Sequence, residues 1–318
     1  MPGGGCWSGS AATWLESAVR HDASVTIPPP VLTLSQILDT FNLEQVNAEF
    51  FVGIQIDEID HHIVGGQVAA QALMAASRTA SERSPHSMHV YFLRRGDARH
   101  PVDFEVTALN DGGTFSARRV TARQFGAVLL EGIASFSDPF KNQESHVYQQ
   151  QSPDLPDPQS FPTMAEQLSG YADERAGWWV REQPIEMRYI DPPARLALDS
   201  AEPPPARIRL WWRPNGTPPT DPVLASCLAV YVSGRTLLEP AMIAHRTTPL
   251  GPGNSALMDH AVWFHRAPDL SDWLLYEQHS ANGIGGRGLA QGTMFNRSGQ
   301  LVCTTMLEGY FGRRPRVN

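Results

Sequence analysis

Apolar and polar positions along this chain follow two rhythms, and the switch between them occurs twice. Val64-Gly-Gly-Gln-Val-Ala-Ala-Gln-Ala-Leu-Met-Ala-Ala-Ser77 is alanine-rich, with small residues on several faces. This predicts a helix packed closely on something flat, such as the concave face of a twisted sheet. Its two glycines stand at the start, where a close backbone approach is useful. Alternating runs then predict strands over Met88 to Leu93, Val102 to Asn110, Thr114 to Phe125 and Ala127 to Phe136. They are parted by Arg94-Arg-Gly-Asp97, Asn110-Asp-Gly-Gly113 and the lone Gly126. Ahead of the helix, Leu32 to Leu38 reads as one or two helical turns and Phe50 to Ile56 as a first strand.

The order then returns. Glu182 to Tyr189 and Ala206 to Trp212 predict strands, and Ala225 to Val232 a second central helix that ends near Leu237-Leu238-Glu239, because Pro240 follows. Asp259 to His265, Trp273 to His279, Arg287 to Phe295 and Leu301 to Tyr310 supply further strands, with Arg297-Ser-Gly299 as a hairpin turn. His89-Val-Tyr-Phe-Leu-Arg-Arg-Gly-Asp97 is echoed by Ala261-Val-Trp-Phe-His-Arg-Ala-Pro-Asp269: an aromatic pair, an arginine, then a turn ending in Asp. Phe115 to Ala122 parallels Gly285 to Ala290, and Leu130-Glu131-Gly132 parallels Leu307-Glu308-Gly309. Matches in one order predict two copies of a single α+β unit. Asp138 to Gly177, polar and broken by Pro153, Pro156, Pro158 and Pro162, separates them. The division is a lead-in over 1–31 (with a short helix near Ala11 to His21), a first domain over 32–137, a linker over 138–177, a second domain over 178–312 and a basic tail over 313–318.

Composition narrows the partners. A chain of 318 residues divides naturally into two domains. A formal net charge of -8 argues against a general nucleic-acid binder. Arg94, Arg95, Arg118, Arg119 and Arg287 lie within the echoed segments. They could form a local anion site, or be solvated strand residues capped by acids. Three cysteines, Cys6, Cys227 and Cys303, make no disulfide framework. No apolar run is long enough to predict a membrane span, and the N-terminus lacks a signal-peptide pattern. A reduced, cytoplasmic setting fits.

Familiar catalytic signatures are missing: no Gly-x-Ser-x-Gly elbow, no His-Glu-x-x-His, no paired Cys-x-x-Cys and no phosphate-loop lysine. His61-His62 reads as a polar strand end, since neighbouring strand residues point to opposite faces. Trp178, Trp179, Trp211 and Trp212 read as core and rim. Gly65-Gly66 before a helix could present free N–H groups to an anion or a carbonyl oxygen. Asp259, just before an apolar strand, either caps a turn or orients and deprotonates a water. Ser280 could approach the same water if its strand pairs as a hairpin. His260, His265 and His279 are nearby candidates, equally suited to structural roles.

These residues resemble the acyl-CoA thioesterase II family, whose members carry two fused hotdog domains. Val64 to Leu73, His86 to Asp97 and Phe115 to Arg119 resemble the first domain. Asp259-His-Ala-Val-Trp-Phe-His-Arg266, Trp273-Leu-Leu-Tyr276, Arg287-Gly-Leu289 and Glu308-Gly309 resemble the second. The resemblance implies an α+β double hotdog in which two antiparallel sheets join side by side, each wrapped around the helix containing Ala69 or Ala229. It implies hydrolysis of a fatty acyl-CoA to free acid and CoA, with no cofactor and no metal, by a water held by an Asp, a Ser or Thr, and a Gln. Asp259 matches the Asp and Ser280 the hydroxyl. Gly65 and Gly66 would stabilise the oxyanion, and Arg94, Arg118, Arg119 or Arg287 would hold the CoA phosphates. At the third position Leu307 replaces the Gln before Glu308-Gly309; Gln278 and Gln291 are other sources of an amide. Gly234 also departs, where the family has an Asp that helps finish the helix. The alternative implied by Leu307 is an acyl-CoA-binding or weakly active protein. Exposed sheet edges imply a homo-oligomer.

Overall fold

In the computed structural model of this chain, residues 31–57, 61–80, 83–138, 148–202, 204–248 and 255–312 are described. The readings of the lead-in helix, Cys6 and the basic tail lie outside them. Helix α1 (Leu34–Phe41) starts at a reciprocal cap between Thr33 and Gln36 and is followed by strands β1 (Glu44–Gln45) and β2 (Phe50–Gly53). Next come helix α2 (Gly65–Arg78) and strands β3 (Ser84–Phe92), β4 (Val102–Asp111), β5 (Phe115–Gln124) and β6 (Ala127–Ser137). A short helix α3 (Met164–Gln167) leads to β7 (Ile185–Tyr189), α4 (Ala194–Asp199) and β8 (Arg207–Pro214). Helices α5 (Pro222–Thr236) and α6 (Glu239–Ala244) precede β9 (Ser255–Leu257), β10 (Asp259–Phe264), β11 (Leu274–Ile284), β12 (Arg287–Asn296) and β13 (Leu301–Phe311).

All 13 strands belong to one antiparallel sheet, in the order β1-β2-β4-β5-β6-β3-β10-β13-β12-β11-β8-β7, with β9 beside β13. The side-by-side joining that was expected runs through without a break, so the two halves form one continuous sheet. Strands β3 and β10 would each be an edge with unpaired N–H and C=O groups, and they satisfy those groups on each other. The order reads the same from both ends around this seam. His89 and Ala261, which open the two echoed segments, face each other there.

Every residue of α2 from Gly66 to Ala76 is buried, because the helix packs on the sheet and also against α5. Small side chains allow this all-round burial. The two polar ones are satisfied: Gln71 donates to Thr40 O and Ile54 O, and Gln67 donates to Gln55 Oε1. Ile54 therefore spends its carbonyl on α2, and the first strand stops at Gly53, short of the predicted Ile56. Helix α5 begins at Asp221, whose carboxylate accepts the N–H groups of Val223 and Leu224, with Pro222 at the first helical position. The two helices meet through glycine. A Cβ on Gly234 would lie 2.5 Å from Gly66 Cα, and one on Gly66 would lie 2.6 Å from Tyr231 O.

Pro240 does not simply end the second helical region. The chain breaks after Thr236 and restarts at Glu239, with Pro240 in the first turn of α6, where its missing N–H costs nothing. Among the described residues, no helix is long and apolar enough to cross a membrane.

Candidate active site

A cavity of about 530 Å³ opens where the start of α2 meets the end of α5. Gly65 and Val68 of α2, Tyr231 to Thr236 of α5 (Ser233 excepted), and Leu238, Glu239 and Met242 around α6 line it. Ile185, Met187 and Tyr189 of β7 and Ala194 and Arg195 of α4 also line it. The segment expected only to separate the copies contributes Met164 and Leu168 to the wall, and the start of the second domain adds Trp178 and Trp179. The wall is mainly apolar and wide enough for an acyl chain, with Arg94, Arg95, Arg195 and Arg235 as its cations.

Gly65 is on this wall, at the start of a helix whose first residues receive no side-chain cap from Val64. The first-turn N–H groups of such a helix are suited to an anion or a developing oxyanion. Gly66, one residue on, is used for the crossing with α5 instead.

Asp259 and Ser280 are not brought together. Ser280 pairs with Ala290, and Ala290 with Leu307; the row continues to His260, since Ala261 pairs with Met306. Ala290, Leu307 and His260 are fully buried beneath the helices. Asp259 precedes His260 on an alternating strand and so points to the other face of the sheet. Three strand spacings, about 14 Å, also separate the strands of Ser280 and Asp259. One water cannot be shared across that distance and through the sheet, so the expected pair is corrected. Neither residue lines the cavity. Asp259 Oδ1 accepts the Glu308 N–H at 2.9 Å, which ties β10 to β13, and Ser280 Oγ donates to Leu289 O at 3.0 Å.

Leu307 also lies off the cavity wall. Gln278 is buried and donates to Thr236 Oγ1 at 2.9 Å, so its amide reaches the wall only through Thr236, whereas Gln291 sits on the opposite face. His260 lies within 3.0 Å of Ser233 Oγ through Nε2; burial lowers its pKa to about 4, which keeps it neutral near pH 7. His265 meets Thr304 Oγ1 at 2.9 Å, and burial lowers its pKa too.

Of the four arginines expected at phosphates, only Arg94 lines the cavity. Arg118 is buried and committed to Asp111, to Thr79 Oγ1 and O, and to the carbonyls of Asn110 and Ala117. With its donors spent, it is a structural residue. Arg119 faces Glu131 at 3.6 Å and Arg287 faces Glu308 at 3.5 Å, both away from the cavity.

The group that sequence reasoning missed is Glu239. It is buried on the cavity wall, and its Oε1 accepts the Tyr189 hydroxyl at 2.7 Å. Desolvation raises its pKa to about 7, against the bonds from Tyr189 and the Ala194 N–H, which pull it down. A signal existed in the sequence: Glu239 is the one charged residue in Leu237-Leu-Glu-Pro-Ala-Met-Ile243.

Comparison with known proteins adds independent support. A family model described as acyl-CoA thioesterase N-terminal domain matches residues 55–137, and one described as acyl-CoA thioesterase matches residues 205–310. The Haemophilus influenzae protein acyl-CoA thioesterase 2 is 35% identical over 87% of this chain and 96% of its own. Acyl-coenzyme A thioesterase 8 of Rattus norvegicus is 30% identical over 89% of this chain and 90% of its own. Among solved structures, a tesB protein of Mycobacterium avium subs paratuberculosis shares 46% identity at a TM-score of 0.74, covering 88% of this chain and 100% of that one. Acyl-CoA thioesterase II TesB2 from Mycobacterium marinum shares 32% at 0.70, covering 89% and 100%.

Proposed function

This chain belongs to the acyl-CoA thioesterase II family of double-hotdog proteins, and from that premise we propose that it hydrolyses an acyl-CoA thioester to a free acid and CoA. The observation that carries this reading is the apolar cavity with the uncapped start of α2 on its wall. The acyl chain enters between Ile185, Met187, Leu238 and Met242, and the thioester carbonyl turns its oxygen toward the N–H groups at Gly65. Those donors stabilise the negative oxygen of the tetrahedral intermediate, an interaction worth about 3 kcal/mol per donor in such sites. Arg94 and its neighbour Arg95 suit the CoA phosphates because the guanidinium fork matches an anion. The carbonyl is reactive and a thiolate leaves readily, so the chemistry asks for no metal and no cofactor.

In this reading residues 32–137 and 178–312 are the two hotdog units, with α2 and α5 as their central helices. The linker over 138–177 then does more than join them, since its later part walls the cavity. The chain acts in a reduced cytoplasmic setting, consistent with the free, buried Cys227 and Cys303, and assembles at least as a dimer. Steady-state release of CoA from short, medium and long acyl-CoAs tests the activity. Hydrolysis of at least one is expected; a folded protein that hydrolyses none refutes it.

A second reading, binding with negligible turnover, is favoured by Leu307, which offers no hydrogen bond where the family Gln stands. It predicts saturable binding of a non-hydrolysable acyl-CoA and no release of free CoA from the substrate.

A further inference from the structure

We propose that Glu239, positioned by Tyr189, is the general base that activates water for thioester hydrolysis in the cavity. The inference rests on the reading that this chain is a hydrolase. It assigns the catalytic carboxylate to α6, whereas Asp259 lies on a strand that does not reach the cavity.

Three observations carry it. Glu239 is a buried carboxyl on an apolar wall that Leu238, Met242, Ile185 and Met187 also line. No cation pairs with it among the described residues: Arg195 is held by Glu174 and Asp199, and Arg235 donates to the Tyr231 hydroxyl at 3.0 Å. A buried carboxylate without a cation is costly to keep. Its hydrogen-bond partner, the Tyr189 O–H, is a donor, and the Ala194 N–H at the start of α4 also favours a negative charge there. A glutamine carbonyl would accept the Tyr189 bond without any cost of charge. Packing and capping alone therefore do not account for an acid at this position, whereas proton transfer does.

The carboxyl is also tuned for the task. Burial brings its pKa to about 7, where an appreciable fraction is ionised at neutral pH and the group is still basic enough to take a proton. In the reaction, the Glu239 carboxylate removes a proton from water as the water oxygen bonds to the thioester carbon. The oxyanion then reforms the carbonyl, the C–S bond breaks with its electron pair going to sulfur, and the departing CoA sulfur takes the proton from Glu239. Water and acyl-CoA become acid and CoA thiol, and the carboxylate is restored. Tyr189 acts as a positioning residue: its O–H fixes one oxygen of the carboxylate and holds the pKa below what burial alone would set.

The test uses the full chain and the acyl-CoA that the wild type hydrolyses fastest. E239Q, whose carbonyl can still accept the Tyr189 hydroxyl, is expected to unfold no earlier than the wild type at pH 7 yet to lose kcat by about 10²-fold or more. KM should change little. The wild-type kcat/KM should rise with pH through an acid limb near neutrality that E239Q lacks. Y189F, which loses the donor, should shift that limb to higher pH, and it carries the test whether or not E239Q folds. A folded E239Q with wild-type kcat, or a Y189F limb at the wild-type position, overturns the assignment while leaving the thioesterase reading intact. A wild type that hydrolyses no acyl-CoA overturns both.

Discussion

Replacing Gly234 by alanine sets two effects of opposite sign against each other. Gly234 lies inside α5, where intrinsic helix propensity alone favours alanine by about 1 kcal/mol. The new Cβ, however, would sit 2.5 Å from Gly66 Cα and 3.0 Å from Gly66 N. These are backbone atoms of α2, so no side-chain rotation relieves the contact, and α2 must move away from α5. Overpacking of this kind costs about 1–3 kcal/mol. Moving α2 also loosens a helix buried from Gly66 to Ala76, so the upper part of that range applies and the net loss is about 1–2 kcal/mol. Urea unfolding followed by circular dichroism should show a lower midpoint for Gly234→Ala at an unchanged slope. The shift carries a functional consequence. Gly65 lies on the cavity wall one residue before the crossing, so its N–H moves with α2 and hydrolysis should fall by more than the folded fraction explains. A variant as stable as the wild type, or more stable, would refute the crossing as the constraint and leave propensity in charge.

Four further outcomes are expected. The pKa of Glu239 is raised to about 7 from an ordinary 4.5, so the folded chain keeps a proton that the unfolded chain has released; its contribution is full below pH 4.5 and is lost as pH rises through 7. His260, lowered from 6.5 to about 4, contributes fully above pH 6.5 and loses that contribution as pH falls toward 4. The two slopes oppose each other where they overlap. Urea unfolding from pH 4.5 to 7 should therefore show wild type gaining about 3 kcal/mol on E239Q toward the acid end; a constant difference would contradict the raised pKa. Arg118→Ala should cost about 2–4 kcal/mol of stability, because it orphans the carbonyls of Thr79 and Asn110, yet leave KM for acyl-CoA unchanged. Arg94→Ala should raise KM with little loss of stability, and the reverse pattern would return the phosphate role to Arg118. Leu307→Gln should lower stability by about 1–3 kcal/mol without a gain in rate, since it buries an amide in a row off the cavity wall; a large gain in kcat would show that water is held there.

What the sequence revealed and what it hid follow from the range of the forces involved. Strand alternation and the Ala-rich helix are local patterns, so α2 and the strands from β3 to β6 could be read directly, with β10 to β13 following from the echo. The seam between β3 and β10 is not local: nothing in His89 to Phe92 says which edge it will meet, and only the repeated order hints that the partner is its own counterpart. Site residues suffered most. Asp259 and Ser280 looked compatible because a hairpin brings neighbouring strands together. Yet β13 and β12 intervene between β10 and β11, and a single step of strand parity decides which face each side chain takes. Arg118 looked like an anion ligand by type alone, while its fate was set by Asp111 and by carbonyls around a turn. Glu239 is visible as a lone charge in an apolar run, but nothing local says what its carboxyl will face. Only the fold brings Tyr189 from β7 to its carboxyl, fifty residues away in the chain. The chemistry of such a site is carried by a charge placed where the apolar pattern alone would exclude one. An isolated acid inside a hydrophobic segment is therefore a better guide to this cavity than an acid at the polar start of a strand.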